Sequence, residues 1–396
     1  MHCLWLTCVD PQPEFSGQFI YSGRLIEAFA AAGADVQVLC LARRASKRRN
    51  GAVEGRIAWR LVDEAEQPAW ASFASPLPNV AFRWGTPGMR RALAEMLDQR
   101  RWDSIIIDGL FGAWALTPLL RQFADRGARP RLVYISHNHE ETTRAAVAAN
   151  YRGSSLERLL LGHDARKARQ LERRVVDSVD LVTAITADDA LLYARRRAGA
   201  PTIVLLPGYQ GRQVRSRRIT ADIPRRAVVV GSFDWVAKRM NLREFVAVAD
   251  PMFAASGAQL QVIGNGDASF IDKLRASLRV TTLTGTVDSI YSFMDEARIA
   301  IVPERTGGGF KLKILDYVFN RLPIAALENS IVGVPLESDD SVLTYRRHED
   351  LAHGVLAAID DLDLLNRLQE RAFAACVDRF DWETRGRELA AAVAAS

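Results

Sequence analysis

Long apolar runs are missing from this chain. No stretch of its 396 residues approaches the ~20 consecutive apolar residues that a membrane-crossing helix requires, which excludes a helical integral membrane protein. The opening, MHCLWLTCVDPQPEF, has no basic leader followed by an apolar core, and the expected location is the cytoplasm. Cysteine is scarce. Cys3, Cys8, Cys40 and Cys376 show no paired spacing, which argues against a disulfide framework or a structural zinc site and for reduced, mostly buried thiols. Strong charge of one sign is lacking too: 52 Lys and Arg face 47 Asp and Glu, a net charge of +5. That balance gives no ground for a nucleic-acid partner.

The length exceeds what one compact core usually takes, so two domains are expected. With 48% apolar and 25% charged residues, the chain has the mix of a globular protein and not of a disordered one. Short β-branched apolar runs alternate with longer stretches of helical period, the pattern of parallel sheets with crossover helices. The first half carries such runs at 35–42, 104–109, 131–136, 180–186 and 202–207, and the second at 227–232, 259–264, 279–285, 297–303 and 322–327. The fold class is therefore α/β, with two Rossmann-like doubly wound domains, 1–206 and 227–376, facing across a cleft. Residues 207–226, polar, basic and without apolar period, read as the linker. Residues 377–396 hold a last helix that crosses back to the first domain or stays on the second.

Ligands of doubly wound sheets bind beyond the carboxyl ends of strands. There, PERTGGGFKLKILDYVFNRLP (303–323) places Gly307, Gly308 and Gly309 between a strand end and a helical pattern. Glycines allow close backbone approach, and a helix start offers free amides and the positive dipole end, so the segment reads as an anion site. Lys311 and Lys313 stand where they would oppose the dipole unless a diphosphate is to be neutralised. Asp316 shares the side of Lys313 and is placed to accept from ribose hydroxyls. A tight turn before a solvated basic helix is the plainer alternative.

This segment resembles the nucleotide-binding signature of family 4 (group 1) glycosyltransferases of the GT-B fold, here in a divergent form. Asp316 falls on the signature's ribose-binding glutamate, and Lys313 on a lysine seen in divergent members. Gly308 stands where the family has the glutamate that faces the donor sugar, and Phe310 closes the glycine turn. VGSFDWVAKRMNLREFV (230–246) is similar to the opening of the family's second domain, with Lys238 as the diphosphate-binding residue and Arg239 as its spare. VIGNGD (262–267) resembles the turn near the nucleobase, through Gly264. The stretch 15–39 is similar to the acceptor-side opening, where Gly17 would let a loop pass the donor phosphate. ISHNHEE (135–141) places His137 on a family histidine that contacts the donor sugar, with Asn138 and Glu140 beside it; His139 is expected to be an ordinary loop residue.

The resemblance implies a retaining glycosyltransferase that moves a sugar from a nucleotide diphosphate sugar to an acceptor hydroxyl, in polysaccharide, glycolipid or other glycoconjugate synthesis. His137, Lys238 and Lys313 would be catalytic. The lysines would offset charge on the leaving phosphate, so no metal and no cofactor are expected. The donor base would be uridine or guanosine. The acceptor would be a sugar, a lipid carrier or a small molecule. A nucleotide-sugar epimerase and a non-catalytic binding subunit are the alternatives. The amphipathic stretch 152–174 has an excess of basic residues that an anionic leaflet would attract, although a core-packed helix with a solvated face explains it as well. The basic clusters 43–49 and 212–218 read either as solvated loops or as anion contacts. The Asp-Xaa-Asp at 361–363 lies inside a helical pattern, which makes it a solvated helix face and not a metal motif.

Overall fold

The structure, a computed structural model, describes residues 1–14, 16–124, 129–197 and 201–395. It divides into two compact units: Met1–Gly208 together with the chain from Asp381 onward, and Tyr209–Phe380.

In the first unit, strands β1 (His2–Val9), β2 (Asp35–Leu41), β3 (Val53–Glu54), β4 (Ile57–Val62), β5 (Ser104–Asp108), β6 (Arg131–Ile135), β7 (Leu181–Ala184) and β8 (Thr202–Val204) form one sheet. Their order is β3-β4-β2-β1-β5-β6-β7-β8, and all pairs are parallel except the β3–β4 hairpin at the edge. Every residue of β5, SIIID, is buried. A parallel strand covered by helices on both faces has no solvent side, so it needs no polar alternation. The central strand β1 is not among the expected runs, yet Cys3 to Val9 are all buried. Its cysteines act there as small apolar side chains. All four thiols are free and buried, and burial pushes those of Cys3 and Cys8 up to about 12.

The last helix, Trp382–Ala394, packs on the Gly17–Ala31 helix of this unit. Their backbones cross closely at Gly386, where an added Cβ would lie 2.1 Å from the Ala28 carbonyl oxygen. The Ser155–Ser178 helix realises the expected amphipathic stretch. It opens with a capping box in which Ser154 and Glu157 satisfy each other's amides, as the sequence Ser-Ser-Leu-Glu favours.

In the second unit, β9 (Arg226–Val230), β10 (Gln259–Ile263), β11 (Thr282–Leu283), β12 (Ile299–Val302), β13 (Ile324–Leu327) and β14 (Leu343–Tyr345) are ordered β11-β10-β9-β12-β13-β14. All five pairings are parallel. The core joins Val229, Ile299 and Ile301 of the sheet to Phe245, Phe253 and Leu351 of the helices. The run expected at 279–285 yields only the short β11.

Residues 209–226 are not a free connector. Ile219 is buried in the core of the second unit, and the arginines of the segment are used internally. Arg212 pairs with Asp295, and Arg217 donates to the carbonyls of Asp295 and Ala297. Desolvation lowers Arg217 to about 10. The segment lacks an apolar period because its ordering comes from arginine–carbonyl and arginine–carboxylate bonds, which a hydropathy pattern does not register. Of the basic cluster 212–218, at least these two side chains are therefore spent on the fold.

Candidate functional site

In an open parallel sheet the ligand crevice opens at the carboxyl ends of strands, where the strand order reverses. In the second unit that reversal falls between β9 and β12, with β10 and β11 on one side and β13 and β14 on the other. Val230 ends β9, and Pro303 and Glu304 follow β12. Lys313, the first residue of the Lys313–Phe319 helix, bridges the two strand ends. Its ammonium donates to the Val230 carbonyl at 3.1 Å and to Glu304 Oε1. Both side chains are largely covered, 13% and 12% exposed. The other carboxylate oxygen, Glu304 Oε2, is buried and accepts from no described residue.

Lys238 joins this pair from the first turn of the Val236–Ser256 helix. Burial and the nearby Lys313 ammonium push its pKa below the ordinary lysine value, while Glu304 and Asp234 act in the opposite sense. Two ammonium groups thus lie near the Glu304 carboxylate, with little water to screen the repulsion between them. Arg239 lies on the same turn, half-buried, its amide bonded to the Trp235 carbonyl.

The glycine turn is pinned from the same helix. Buried Asn241 accepts from the amides of Arg305 and Thr306 at 3.1 and 2.9 Å and donates to the Thr306 carbonyl at 2.6 Å. Gly307 and Gly309 take φ values of 126° and 70°, left-handed conformations that explain two of the three glycines. Lys311 does not project from this turn as a free cation: its ammonium donates to the carbonyls of Gly308 and Gly309 at 2.6 and 3.1 Å. Phe310 packs near Phe380, with ring centroids 5.7 Å apart. The helix after the turn has seven residues and starts from Leu312, itself helical, without a side-chain cap.

Asp316, on that helix, accepts from the Tyr209 hydroxyl at 3.2 Å. Burial raises its carboxyl to about 6, the Tyr209 bond pulling the other way. Tyr209 stacks flat on Phe319, with centroids 4.4 Å apart. Gly264 has a structural reason of its own: at φ 135° its Cβ would fall 1.6 Å from the Gly231 carbonyl oxygen, just past the ends of the paired strands β10 and β9.

The first unit reverses strand order between β1 and β5. Asp10 follows β1 and Asp108 ends β5, and both are fully buried. Asp10 accepts from the Ser46 hydroxyl and the Arg48 guanidinium, and Arg48 lies 3.7 Å over the Trp59 ring. Arg43 donates to the carbonyls of Asp10 and Pro13. Part of the 43–49 cluster is thus folded into the protein and not presented to an anion.

Asp108 accepts from Trp5 Nε1 at 3.1 Å and meets His137 Nε2 at 2.7 Å. The imidazole is held between Tyr21 and Phe111, each with its centroid 5.3 Å away. Beside it, the Asn138 carbonyl accepts from the hydroxyls of Ser136 and Tyr193. His139 caps the Glu140–Asn150 helix through its ring and is held below the ordinary histidine value mainly by burial. Glu140 pairs with Arg144 at 2.5 Å, one turn along the same helix. Gly17 is the first residue of the Gly17–Ala31 helix and not a loop glycine; Phe15, at the head of the stretch 15–39, lies outside the described residues.

Residues 16–208 match the Glycosyl transferase 4-like domain, and residues 224–361 match Glycosyl transferases group 1. The chain belongs to the group 1 glycosyltransferases. Comparison with curated protein sequences gives no match. Among solved structures, sucrose-phosphate synthase from Thermosynechococcus elongatus is similar with a TM-score of 0.74 and 17% identity, over 99% of this chain and 98% of that one. WaaG, a glycosyltransferase involved in lipopolysaccharide biosynthesis, gives 0.64 and 15% over the whole of both chains. HepE from Anabaena, solved with UDP-glucose, gives 0.61 and 13% over 99% of each. These likenesses show the GT-B fold. The two family matches favour transfer over the epimerase alternative.

In this group 1 glycosyltransferase Lys238 and Lys313 lie together, and four residues not singled out in the sequence hold the site groups: Glu304 on Lys313, Asn241 on the glycine turn, Tyr209 on Asp316 and Asp108 on His137. Asp108 had a visible signal, a carboxylate closing an otherwise apolar strand immediately before a glycine. Glu304 had a weaker one, a carboxylate following Pro303 just past a strand end. Among the described residues no group of three or more potential metal ligands gathers, and no helix is long and apolar enough to cross a membrane.

Proposed function

We propose that this glycosyltransferase binds the diphosphate of a nucleotide sugar at the carboxyl ends of β9 and β12 and transfers the sugar to an acceptor hydroxyl. The observation that carries the reading is the Lys238–Lys313–Glu304 cluster at the sheet's reversal point. As the bond between the anomeric carbon and the β-phosphate oxygen breaks, negative charge grows on the diphosphate. Two ammonium groups already removed from bulk water stabilise that charge strongly, because nothing must reorient to screen it. Lys313 exchanges the Glu304 oxygen for a phosphate oxygen, and an incoming anion offsets the repulsion between the two ammonium groups that pushes the Lys238 pKa below the ordinary lysine value.

Asp316 holds the ribose hydroxyls, with Tyr209 fixing its carboxylate, and His137 meets the reacting sugars. Lysines acting in this way stand in for the divalent cation that other transferases use, so we assign a metal-independent reaction. The group 1 resemblance supports retention of donor configuration, although Gly308 brings no carboxylate to the turn. A uridine donor is supported by HepE, solved with UDP-glucose, a guanosine donor remaining the alternative. The exposed Leu156 and Leu159 beside Arg152 and Arg158 support peripheral contact with an anionic membrane that carries the acceptor.

The test is diphosphate release from a panel of nucleotide sugars. Lys313→Ala is expected to lower kcat/KM by about a hundredfold or more in a chain that still folds, with a lower melting temperature because the covered Glu304 carboxylate loses its partner. Near-normal turnover would overturn the assignment.

A further inference from the structure

His137 is the part of the first unit's candidate site whose chemistry depends on a proton position, and the surrounding donors fix that position. A carboxylate only accepts hydrogen bonds, and an indole only donates. Asp108, fully buried, receives Trp5 Nε1–H on Oδ2 at 3.1 Å and faces His137 Nε2 with Oδ1 at 2.7 Å. Nε2 must therefore carry a hydrogen in that bond. In the neutral ring Nδ1 is then left with a lone pair. The ring cannot turn to escape this choice, because Tyr21 and Phe111 pack against it and its side chain is only 9% exposed. Nδ1 takes no hydrogen bond from any described residue.

We propose that Asp108 is the positioning residue of His137: it sets the Nε2–H tautomer so that Nδ1 accepts a hydrogen bond from a hydroxyl of the substrate sugar. The substrate half of this inference rests on the glycosyl-transfer reading; the tautomer half does not. Trp5 gives the device an unusual check. In Asp108→Asn one arm of the carboxylate becomes an amide NH2, which cannot accept. The buried Trp5 indole has no other partner in its place and claims the remaining oxygen, so the NH2 faces His137. Nε2 must then accept, the ring proton moves to Nδ1, and the nitrogen offered to the sugar changes from acceptor to donor. Replacing the indole removes the constraint. In Asp108→Asn with Trp5→Phe the amide is free to turn its oxygen to His137 and restore the original tautomer.

The experiment is 15N NMR of the full chain labelled in histidine, with His137 assigned by its loss in His137→Gln, alongside steady-state transfer kinetics. The unmodified protein is expected to show Nδ1 in the pyridine-like range and Nε2 in the pyrrole-like range. Asp108→Asn is expected to exchange them and lower kcat/KM for the sugar donor by about tenfold, the cost of one hydrogen bond to a buried group. Trp5→Phe in addition should restore both. A proton on Nδ1 in the unmodified protein, or an unchanged tautomer in Asp108→Asn, overturns the proposal. An exchanged tautomer with unchanged kcat/KM overturns the substrate contact. Should Asp108→Asn not fold, the spectrum of the unmodified protein decides the tautomer. Failure of the transfer reading would appear separately, as no diphosphate release from the unmodified protein with any donor.

Discussion

Glu172 closes a hydrogen-bond network behind the His137 loop. It accepts from the amides of Glu140 and Glu141 at 3.0 and 2.7 Å and from the Tyr193 hydroxyl at 2.7 Å. These bonds favour its ionised form, yet burial and the nearby Glu140 charge outweigh them and bring it from the ordinary 4.5 up to about 7. The folded state therefore binds this proton more tightly than the unfolded chain does. The resulting stabilisation is present in full below the unfolded value and is lost as pH rises through about 7. Glu172→Gln removes the titration but keeps an acceptor oxygen. The melting-temperature advantage of the unmodified protein over Glu172→Gln is expected to shrink between about pH 5 and about pH 8. A difference that stays flat or grows over that range would show that Glu172 is ionised throughout. Asp316 presents the same balance on a smaller scale, raised to about 6 by burial against a single Tyr209 bond.

At the scale of elements, the approach of strand ends and helices depends on glycines that carry no chemistry. The chain just past β10 lies close beside that past β9 only because Gly264 has no Cβ and holds φ at 135°. Gly264→Ala combines a disfavoured backbone conformation with a clash against a carbonyl, a loss of about 2–4 kcal/mol. Chemical denaturation is expected to show it as a lower midpoint, with nucleotide binding weakened as the strand ends shift. Stability and affinity matching the unmodified protein would contradict this close approach. Gly386 plays the corresponding part between the Trp382–Ala394 and Gly17–Ala31 helices, where Gly386→Leu would force the backbones apart against a close-packed face.

For the molecule as a whole, the alternation of apolar runs was enough to reveal two parallel-sheet units, because strands such as β5, β9 and β12 are covered on both faces and leave unbroken apolar segments. The glycine turn was legible because consecutive glycines after a strand end mark a backbone free to take left-handed conformations, as Gly307 and Gly309 do. What stayed hidden is the set of partners that converge from distant positions. Glu304 meets Lys313 across nine residues and Asp108 meets His137 across 29, pairings that folding creates and no local period announces. The bonds of Lys311 to the turn carbonyls and of Glu140 to Arg144 were hidden for the same reason, since a charged residue looks the same in sequence whatever it meets in the fold.

A co-crystal structure of the full chain with UDP or GDP decides whether a nucleotide's diphosphate belongs at the reversal point of the second sheet. The expected complex has the diphosphate at the carboxyl ends of β9 and β12, with the Lys313 ammonium moved from Glu304 onto a phosphate oxygen, Lys238 on its other side and the ribose on Asp316. A diphosphate bound elsewhere on the chain, with Lys313 still paired to Glu304, would contradict it.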